Sequence, residues 1–276
     1  MKESVLDRLF SLKDKVVVLT GGGGFLAGEM ARTIAQCGAK VAVLDLLEEA
    51  AAKVANEITK NGGIAIGLQA DAVDKSSLEK SCKKIIAEFG KIDCLVNGAG
   101  GNKKEATTSD ELSFFDISLE ANKWVFDLNF LGTLLPSQIF GREIVKQQNG
   151  SIVNIASVAG FRPLTRAAAY AAAKAAVINF TRWLSVHIAQ NYSGKIRVNA
   201  IAPGFCATEQ NRYLLFNKDC SLTERGKTIL NAVPQNRFGE PTELAGAVIW
   251  LLSDSASFAT GSVVTIDGGF DAFSGV

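Results

Sequence analysis

Histidine and clustered cysteine are the scarcest features of this sequence. It holds one histidine, His187, and five cysteines, none of which form a C-x-x-C pair. A structural zinc site needs several such ligands close together, so we predict no metal site. The scattered thiols are expected to be reduced and mostly buried. His187 is expected to be a packed or interface residue rather than a catalytic one.

The sequence also lacks long apolar runs and any excess of charge. No run approaches the roughly 18 residues of a membrane-spanning helix. Residues 1–14 mix charged and apolar side chains, unlike the apolar core of a secretion signal. Lys+Arg 29 against Asp+Glu 28 leaves a net charge of +1, which gives no field to attract nucleic acid or anionic membrane. We therefore expect a cytoplasmic protein with no nucleic-acid or membrane partner.

Short apolar segments alternate with amphipathic ones along the 276 residues. Strands are predicted at 16–20, 40–44, 64–69, 94–97, 151–155, 196–202 and 262–266. Helices are predicted at 26–37, 48–60, 78–89, 124–147, about 170–190 and 242–252. This alternation is typical of βαβ units, which form a parallel sheet with helices on both faces. No repeat or linker divides the chain, so we predict a single doubly wound α/β domain of Rossmann type over residues 1–276, with a parallel seven-stranded sheet.

Two segments interrupt the alternation of strands and helices. Residues 101–122 are polar and acidic, and residues 205–239 mix charged residues with Leu214, Leu215 and Phe216. Both segments follow the carboxyl ends of predicted strands, where open α/β sheets bind their ligands. We expect them to form two walls of a substrate pocket; surface decoration is the alternative.

Tyr170 and Lys174 stand four residues apart in an alanine-rich segment that is predicted to be a helix. At this spacing both side chains project from one face of the helix. An ammonium favours the ionised form of a neighbouring phenol, so Lys174 is expected to lower the pKa of Tyr170 toward neutrality. A phenol tuned in this way can exchange a proton during reduction of a ketone or oxidation of an alcohol.

A glycine-rich turn joins the first predicted strand to the first predicted helix. The sequence Gly21-Gly22-Gly23-Gly24-Phe25-Leu26-Ala27 contains the form G-x-G-x-x-A. Glycines let the backbone approach a pyrophosphate, which the N–H groups at the helix N-terminus can bind. Phe25 would crowd the pyrophosphate if it needed a positive φ, and the four preceding glycines can take that conformation instead.

Asp45 ends the second predicted strand, where a carboxylate can accept hydrogen bonds from both ribose hydroxyls of an adenosine. The same carboxylate repels a 2′-phosphate, and Leu46 and Leu47 offer no neighbouring cation. We therefore predict NAD as the cofactor in preference to NADP. At the ends of the next two strands, Asp71-Ala72 could bind the adenine edge and residues 97–100 could form a floor of small residues, although either could be a plain turn.

Taken as an ordered set, these residues resemble the short-chain dehydrogenase/reductase family over nearly the whole chain. The matching pieces are the glycine turn, Asp45, Asp71, Asn97-Gly98-Ala99-Gly100, Asn129, Ser157, Tyr170-x-x-x-Lys174, Pro203-Gly204 and Asp267-Gly268-Gly269. The cofactor-binding residues expected from the turn and the resemblance are Gly21, Gly22, Gly23, Gly24, Phe25, Leu26, Asp45, Leu46, Asp71, Ala72, Asn97, Gly98, Ala99, Gly100, Tyr170, Lys174, Pro203, Gly204 and Thr208.

The resemblance implies a role for each catalytic residue. Ser157 is expected to hydrogen-bond the substrate oxygen while Tyr170 exchanges the proton. Lys174 is expected to bind the nicotinamide ribose, and Asn129 to hold a water that relays protons behind it. Thr208 would contact the nicotinamide carboxamide. In this family long helices pair between subunits, so a homo-oligomer, tetramer or dimer, is also expected.

A closer resemblance concerns the D-mannonate oxidoreductase (D-fructuronate reductase) branch. It is carried by residues 127–136, 208–212, 221–226 and 274–276 and by the long 101–122 segment. The implied substrate is a six-carbon sugar acid, with Arg212 the first choice to bind its carboxylate. Asn102, Ser157, Gln210 and Asn211 are further candidate substrate contacts.

Two other functions remain open from the sequence. Another sugar-acid or polyol ketoreductase, such as a gluconate 5-dehydrogenase, would share every catalytic residue and differ only in the two pocket segments. A nucleotide-binding module without catalysis is the alternative from another class. Such a module usually loses the tyrosine or the lysine, and this chain retains both Tyr170 and Lys174.

Overall fold

The computed structural model describes residues 5–208 and 212–275. Within these residues seven strands form one parallel sheet in the order β3-β2-β1-β4-β5-β6-β7. The strands are β1 Val16–Thr20, β2 Lys40–Asp45, β3 Ile64–Gln69, β4 Cys94–Asn97, β5 Gly150–Ile155, β6 Ile196–Pro203 and β7 Val263–Ile266. Strands β1, β4 and β6 are buried at every position, as expected for strands of a parallel sheet that helices cover on both faces. The predicted fold is confirmed, and the predicted strand ends are correct to within one residue.

Helices cover both faces of the sheet. They are α1 Val5–Phe10, α2 Phe25–Gln36, α3 Glu48–Lys60, α4 Lys75–Phe89, α5 Leu119–Phe126, α6 Gly132–Lys146, α7 Ala168–Asn191, α8 Arg212–Leu215, α9 Glu224–Asn231 and α10 Pro241–Leu252. One core cluster contains residues of α2, α3 and α10, and the second contains residues of α4, α6 and α7. Alternate β1 residues, such as Val17 and Val18, belong to opposite clusters, as the period of a strand requires. No helix in the described part of the chain is long and apolar enough to span a membrane.

Helix α4 begins three residues earlier than predicted, because the side chain of Asp74 accepts a hydrogen bond from the Ser76 N–H and caps the helix. The predicted helix at 124–147 is also longer at its start and is not regular. It consists of α5, a π-helical turn at Asp127–Leu131 and α6. Such widened turns often occur at functional sites, and this one contains Asn129.

The two irregular segments contain short elements of their own. Residues 101–122 form 3₁₀ turns at Lys104–Ala106 and Phe114–Asp116 before α5 begins. Residues 205–239 include α8 and α9, whose apolar residues pack into a separate small cluster around Leu215, Ile229 and Val233. The base of this second segment is closed where the Gly239 N–H donates to the Phe205 carbonyl at 2.9 Å. Neither α8 nor α9 was predicted, because helices of four and eight residues leave too short a periodic pattern.

Candidate active site

The expected catalytic and cofactor positions meet in one cleft of about 420 Å³ at the carboxyl edge of the sheet. Its walls come from the turns after β1, β4, β5 and β6 and from the start of α7. The lining residues are Gly21, Gly24, Phe25, Leu26, Ala27, Asp45, Gly98, Gly100, Gly101, Ile155, Ala156, Ser157, Val158, Leu164, Tyr170, Lys174, Pro203, Gly204, Phe205, Cys206 and Thr208. Three of the four predicted catalytic residues, namely Ser157, Tyr170 and Lys174, and twelve of the nineteen predicted cofactor positions line this cleft.

Ser157 and Tyr170 are brought together by close packing of α7 on the turn that follows β5. Ser157 is 8% exposed and begins a 3₁₀ turn, accepting a hydrogen bond from the Ala159 N–H at 3.2 Å. A Cβ atom on Gly160 in that turn would lie 2.8 Å from the Lys174 carbonyl oxygen, so glycine permits the helix to approach. Ser157 and Tyr170 therefore line the same cleft.

Lys174 lies one turn after Tyr170, and its side chain is 4% exposed. Its Nζ donates a hydrogen bond to the carbonyl oxygen of Ile155 at 2.7 Å, at the end of β5. Burial lowers the pKa of Lys174 to about 8. The ammonium also lies 5.7 Å from the centre of the Tyr170 ring. Lys174 therefore stands on the same side of the cleft as the phenol, as their helical spacing predicts.

The expected direction of the Tyr170 pKa shift is wrong. Burial raises the pKa of Tyr170, and the hydrogen bond with Ser157 opposes that shift only in part. Two observations explain the difference. The ammonium of Lys174 is bonded to a carbonyl rather than to the phenol oxygen, and residues of the 101–122 segment and α5, among them Ala106 and Val125, pack around Tyr170.

Asn129 lies in the π-helical turn and is fully buried. Its Nδ2 donates to the carbonyl oxygens of Gly101 and Val125, both at 2.7 Å, while its Oδ1 accepts from the Gly101 N–H at 3.2 Å. A Cβ atom on Gly100 would lie 2.8 Å from this Oδ1 and 3.3 Å from the Lys174 Nζ. Asn129 therefore fixes the backbone after β4 beside Lys174, and both of its Nδ2 hydrogens are donated within the protein. The predicted water relay stays a prediction.

Within the glycine turn, Gly21 is the residue with a positive φ. Gly21 has a φ of 65°, and a Cβ atom there would lie 2.8 Å from the Ala99 Cα. Helix α2 then begins at Phe25, preceded by Gly24 with a φ of −72°. Phe25 therefore needs no positive φ, and it lies 46% exposed at the edge of the cleft. The concern that its ring would obstruct the turn is removed, because Gly21 carries the unusual conformation.

The N-terminus of α2 suits an anion. No side chain caps this end of the helix, and its first turn contains no acidic residue. The floor of the cleft is tied to β1, because the N–H groups of Gly98 and Ala99 both donate to the Thr20 hydroxyl at 3.2 Å. Gly22 and Gly23 lie in the turn but do not line the cleft, since their Cβ positions face Val43 and Ala50.

Asp45 links the end of β2 to the glycine turn. Its Oδ2 accepts a hydrogen bond from the Gly23 N–H at 3.0 Å and its Oδ1 accepts from the Leu47 N–H at 3.0 Å. The carboxylate lines the cleft and is only half-buried, so it keeps room for further donors. Leu46 is 60% exposed and does not line the cleft. Asp45 therefore lies in the cleft, where a ribose acceptor was predicted, and Leu46 lies outside it.

Asp71, Ala72 and Asn97 are further predicted cofactor positions that do not line the cleft. The Asp71 carboxylate accepts from the Val73 N–H at 3.0 Å in a local turn, and Ala72 is buried. The Asn97 side chain is bonded in the interior, and a cofactor role for this residue stays a prediction. Its Nδ2 donates to Ser137 Oγ at 2.9 Å and to Asn154 Oδ1 at 2.8 Å, in the interior behind the strands. Asn97 therefore ties β4 to β5 and α6, because its side chain points away from the edge where ligands bind.

Of the predicted substrate contacts that the structure describes, Ser157 lines the cleft and the others do not. Asn102 donates to Thr107 Oγ1 at 3.0 Å and does not line the cleft. Arg212 does not line the cleft, since its guanidinium lies over the Phe216 ring at 5.4 Å and donates to the Cys220 thiol at 3.3 Å. Its role in binding a carboxylate stays a prediction. Gln210 and Asn211 lie outside the described residues. Ser157 lines the cleft, as do Pro203, Gly204 and Thr208.

Several lining residues escaped the sequence analysis. Leu164 lies in the connection between Ser157 and Tyr170, and Phe205 and Cys206 follow Pro203-Gly204. Proximity in sequence to predicted site residues was the signal that could have identified them. Ile155 was also missed as the acceptor for Lys174, because main-chain contacts leave no mark on residue type. Among the described residues no group of three or more metal-binding side chains is present.

The sequence is similar to a family profile and to known oxidoreductases. A family profile described as Enoyl-(Acyl carrier protein) reductase matches residues 25–271. An uncharacterized oxidoreductase of Bacillus subtilis (strain 168), UxuB, is 44% identical over 275 residues, which cover 96% of this chain and 98% of that protein. A 2-dehydro-3-deoxy-D-gluconate 5-dehydrogenase of Dickeya dadantii (strain 3937) is 33% identical over 262 residues, covering 95% and 97%.

A solved structure is similar to this chain over nearly its full length. It is a crystal structure of a provisionally assigned D-mannonate oxidoreductase from Haemophilus influenzae with bound NAD. The TM-score is 0.92 at 41% identity, covering 99% of this chain and 100% of the other. With a profile that matches most of the chain and relatives that align along nearly all of it, the chain belongs to the short-chain dehydrogenase/reductase family and is an oxidoreductase that acts on alcohol or keto groups.

Proposed function

We propose that this oxidoreductase transfers hydride between NAD(H) and a hydroxyl or keto group of a six-carbon sugar acid of the D-mannonate/D-fructuronate type. The observation that carries the proposal is that Ser157, Tyr170, Lys174 and Asp45 all line one cleft. One end of this cleft can move a proton, and the other can hold a nucleotide.

The cofactor is NAD, and the residues of the cleft fit it. The uncapped N-terminus of α2 offers N–H groups for a pyrophosphate. Gly21 lets the backbone of the turn lie against Ala99, where a side chain would collide. Asp45 offers a carboxylate for the adenosine ribose and opposes a 2′-phosphate, since Leu46 and Leu47 beside it are apolar and exposed.

The chain's own residues handle the proton and the developing charge. When bound, the cofactor supplies or accepts the hydride. Burial keeps the Tyr170 phenol protonated near neutral pH, since it raises the pKa, and the protonated phenol can donate to an oxygen that becomes an alkoxide. Ser157 places a second hydroxyl beside that oxygen, in the manner of an oxyanion hole. In the oxidising direction the positive charge of the nicotinamide and of Lys174 both favour the phenolate.

Support for a sugar acid comes from the resemblance and from the mixed lining of the cleft, in which hydroxyl-bearing Ser157, Tyr170 and Thr208 stand beside Leu164 and Phe205. The Haemophilus influenzae structure is described as a D-mannonate oxidoreductase. The Dickeya dadantii relative acts on 2-dehydro-3-deoxy-D-gluconate by its name, so a 5-keto sugar acid is the second candidate substrate. Both candidates combine a carbonyl group with a carboxylate.

We also propose that the chain assembles as a homo-oligomer. Helix α7 presents a row of aromatic side chains in which Trp183, 57% exposed, stacks on His187 with ring centres 4.8 Å apart. Helices α4 and α6 border the same face and leave a groove of about 870 Å³. A second copy of the chain would cover this apolar surface. Light scattering on the purified protein tests the proposal, because it measures the molar mass in solution. A monomeric mass at micromolar concentration would refute the proposal.

The experiment that tests the activity is a panel of substrates with the purified protein. We expect D-fructuronate with NADH to give the highest kcat/KM, above 5-keto-D-gluconate and above D-fructose, with NADPH much weaker. Oxidation of D-mannonate by NAD⁺ should complete the reversible pair. A kcat/KM for D-fructose that equals or exceeds that for both acids would overturn the assignment of a sugar-acid substrate.

A further inference from the structure

Two arginines beside the catalytic cleft have no acidic partner within the described part of the chain: Arg166 and Arg225. Other arginines near the same edge of the sheet are neutralised or occupied. Arg162 pairs with Asp271 at 3.2 Å and Arg237 pairs with Glu243 at 2.6 Å. An unpaired guanidinium at a ligand-binding edge is available to an incoming anion.

Arg166 lies in the connection that carries Ser157 to Tyr170, two residues before α7 begins. It lines a hollow of about 520 Å³ together with Thr108, Phe114 and Leu164. Leu164 lines the catalytic cleft as well, so the two spaces share a wall. A ligand that reaches Tyr170 from this side therefore passes along the hollow that Arg166 borders.

The backbone of Arg166 is held in an unfavourable conformation. Its φ is 77°, in the left-handed region that a residue with a Cβ atom seldom adopts. The carbonyl oxygen of Arg166 accepts a hydrogen bond from the Thr108 N–H at 3.0 Å, which fastens the 101–122 segment to this point. Strain of this kind concentrates at ligand-binding positions, where the direction of a side chain matters more than its conformational cost.

Arg225 approaches from the opposite wall. It is the second residue of α9 and is half-buried. Its helix packs through Ile229 against the small cluster that includes Phe205, which lines the catalytic cleft. Burial lowers the pKa of Arg225, and the charge of Arg166 lowers it further. The two cations are thus close enough to repel each other, and a carboxylate between them would relieve that repulsion.

We propose that Arg166 and Arg225 together bind the carboxylate of the substrate, in place of the residues that the sequence suggested. This assignment rests on the proposed sugar-acid function and deepens it. Each of the two irregular segments contributes to the site, since Arg225 belongs to residues 205–239 and Arg166 is fastened to residues 101–122 through Thr108. The site would set the distance between the carboxylate and the carbonyl carbon that is reduced.

Steady-state kinetics with D-fructuronate and NADH tests the assignment. Arg166→Met and Arg225→Met should each raise KM about tenfold to a hundredfold, the worth of a charged hydrogen bond, while kcat changes less than about threefold. The Kd for NADH, measured by fluorescence titration, should stay unchanged. Arg182→Met is the matched control, because Arg182 is exposed on α7 and lies 12 residues beyond Tyr170 (182 minus 170).

Further variants separate a binding role from a structural one. Arg166→Gly should raise KM as Arg166→Met does, yet leave the melting temperature equal or higher, because glycine adopts a positive φ without strain. Arg225→Lys should restore part of the affinity that Arg225→Met loses. If wild-type enzyme reduces D-fructuronate and both methionine variants keep its KM, the arginine assignment falls while the proposed function stands. If the wild type reduces only D-fructose and other uncharged ketoses, the proposed function itself falls.

Discussion

The nucleotide side of the cleft and the substrate side are built in different ways. The nucleotide side of the cleft is lined mainly by backbone at fixed points of a regular sheet, namely the turn at Gly21, the N-terminus of α2 and the floor at Gly98, with the Asp45 carboxylate beside them. The substrate side is formed by side chains on two irregular segments, each with a small apolar cluster of its own. The first arrangement depends on strand order, and the second depends on the particular side chains that the segments carry.

This difference indicates where the enzyme tolerates change. Backbone contacts require glycine or a free helix end, so substitutions there should harm cofactor binding and stability together. Side chains on separately packed segments can change without disturbing the sheet, so substitutions there should alter substrate preference first. Between the two sides lie Ser157, Tyr170 and Lys174, which serve both.

The largest expected effect is that of Tyr170→Phe, where the two sides meet. Loss of the phenol oxygen removes the proposed proton donor, which lines the cleft with Ser157, so kcat should fall by about 10²–10⁴. The Kd for NADH should change less than about threefold. Tyr192→Phe is the control, since Tyr192 is 51% exposed at the far end of α7. Retention of near-full turnover by the Tyr170 variant would refute the proton-donor assignment.

Next in size is the change in cofactor preference caused by Asp45→Asn. The amide is a weaker acceptor for ribose hydroxyls and does not repel a 2′-phosphate, so the ratio of kcat/KM for NADH over NADPH should fall about tenfold to a hundredfold. Asp71→Asn provides the comparison, because the Asp71 carboxylate does not line the cleft. Its ratio should stay within about threefold of wild type, and equal ratios in both variants would contradict the role of Asp45.

A smaller effect is expected for Gly21→Ala, which tests the backbone side alone. The added methyl group meets a positive φ and the Ala99 Cα at 2.8 Å, so the free energy of unfolding should fall by about 1–3 kcal/mol. NADH affinity should fall as well. Gly246→Ala is the control, because that glycine lies in α10 with nothing within 4 Å of its Cβ position. Urea unfolding should show this control stabilised by about 0.5–1 kcal/mol.

The smallest expected effect concerns the charge of Lys174. Its pKa falls from 10.5 in solution to about 8 in the folded chain, so between these values the unfolded chain binds more protons and stability rises with pH. The burial penalty is present in full below pH 8 and is relieved above it. Unfolding free energies of wild type minus Lys174→Met should therefore rise by about 1–2 kcal/mol from pH 7.5 to 9.5. A difference independent of pH would contradict the buried ammonium.

The sequence allowed prediction wherever one element fixes the geometry. Tyr170 and Lys174 share a helix, so their spacing placed them on one face. Asp45 and the glycine turn follow neighbouring strands, and the family resemblance joined the two pairs in one cleft. Asn97 shows the limit of this reasoning. Its position at a strand end was predicted, but the direction of its side chain depends on Ser137 and Asn154 from other elements.

The substrate side was harder to predict because its geometry is set by packing between segments. Arg212 was chosen for its charge, yet it packs on Phe216, while Arg225, in the short helix that followed, was not considered. The pKa of Tyr170 failed for a related reason. Its environment includes Ala106 and Val125 from a segment that the sequence showed only as polar and irregular.

The closed base of residues 205–239 has a consequence for how such enzymes diversify. Because the Gly239 N–H bonds to the Phe205 carbonyl and Cys206 bridges to Gly239, the segment leaves the sheet and returns at nearly the same point. The entropy cost of closing a loop rises only slowly with its length, so a longer segment between these two points costs little more than a shorter one. Replacing residues 205–239 with the matching segment of a relative would then change the substrate preference. The catalytic residues would stay as they are, so new substrates could arise in evolution without a change in the redox chemistry.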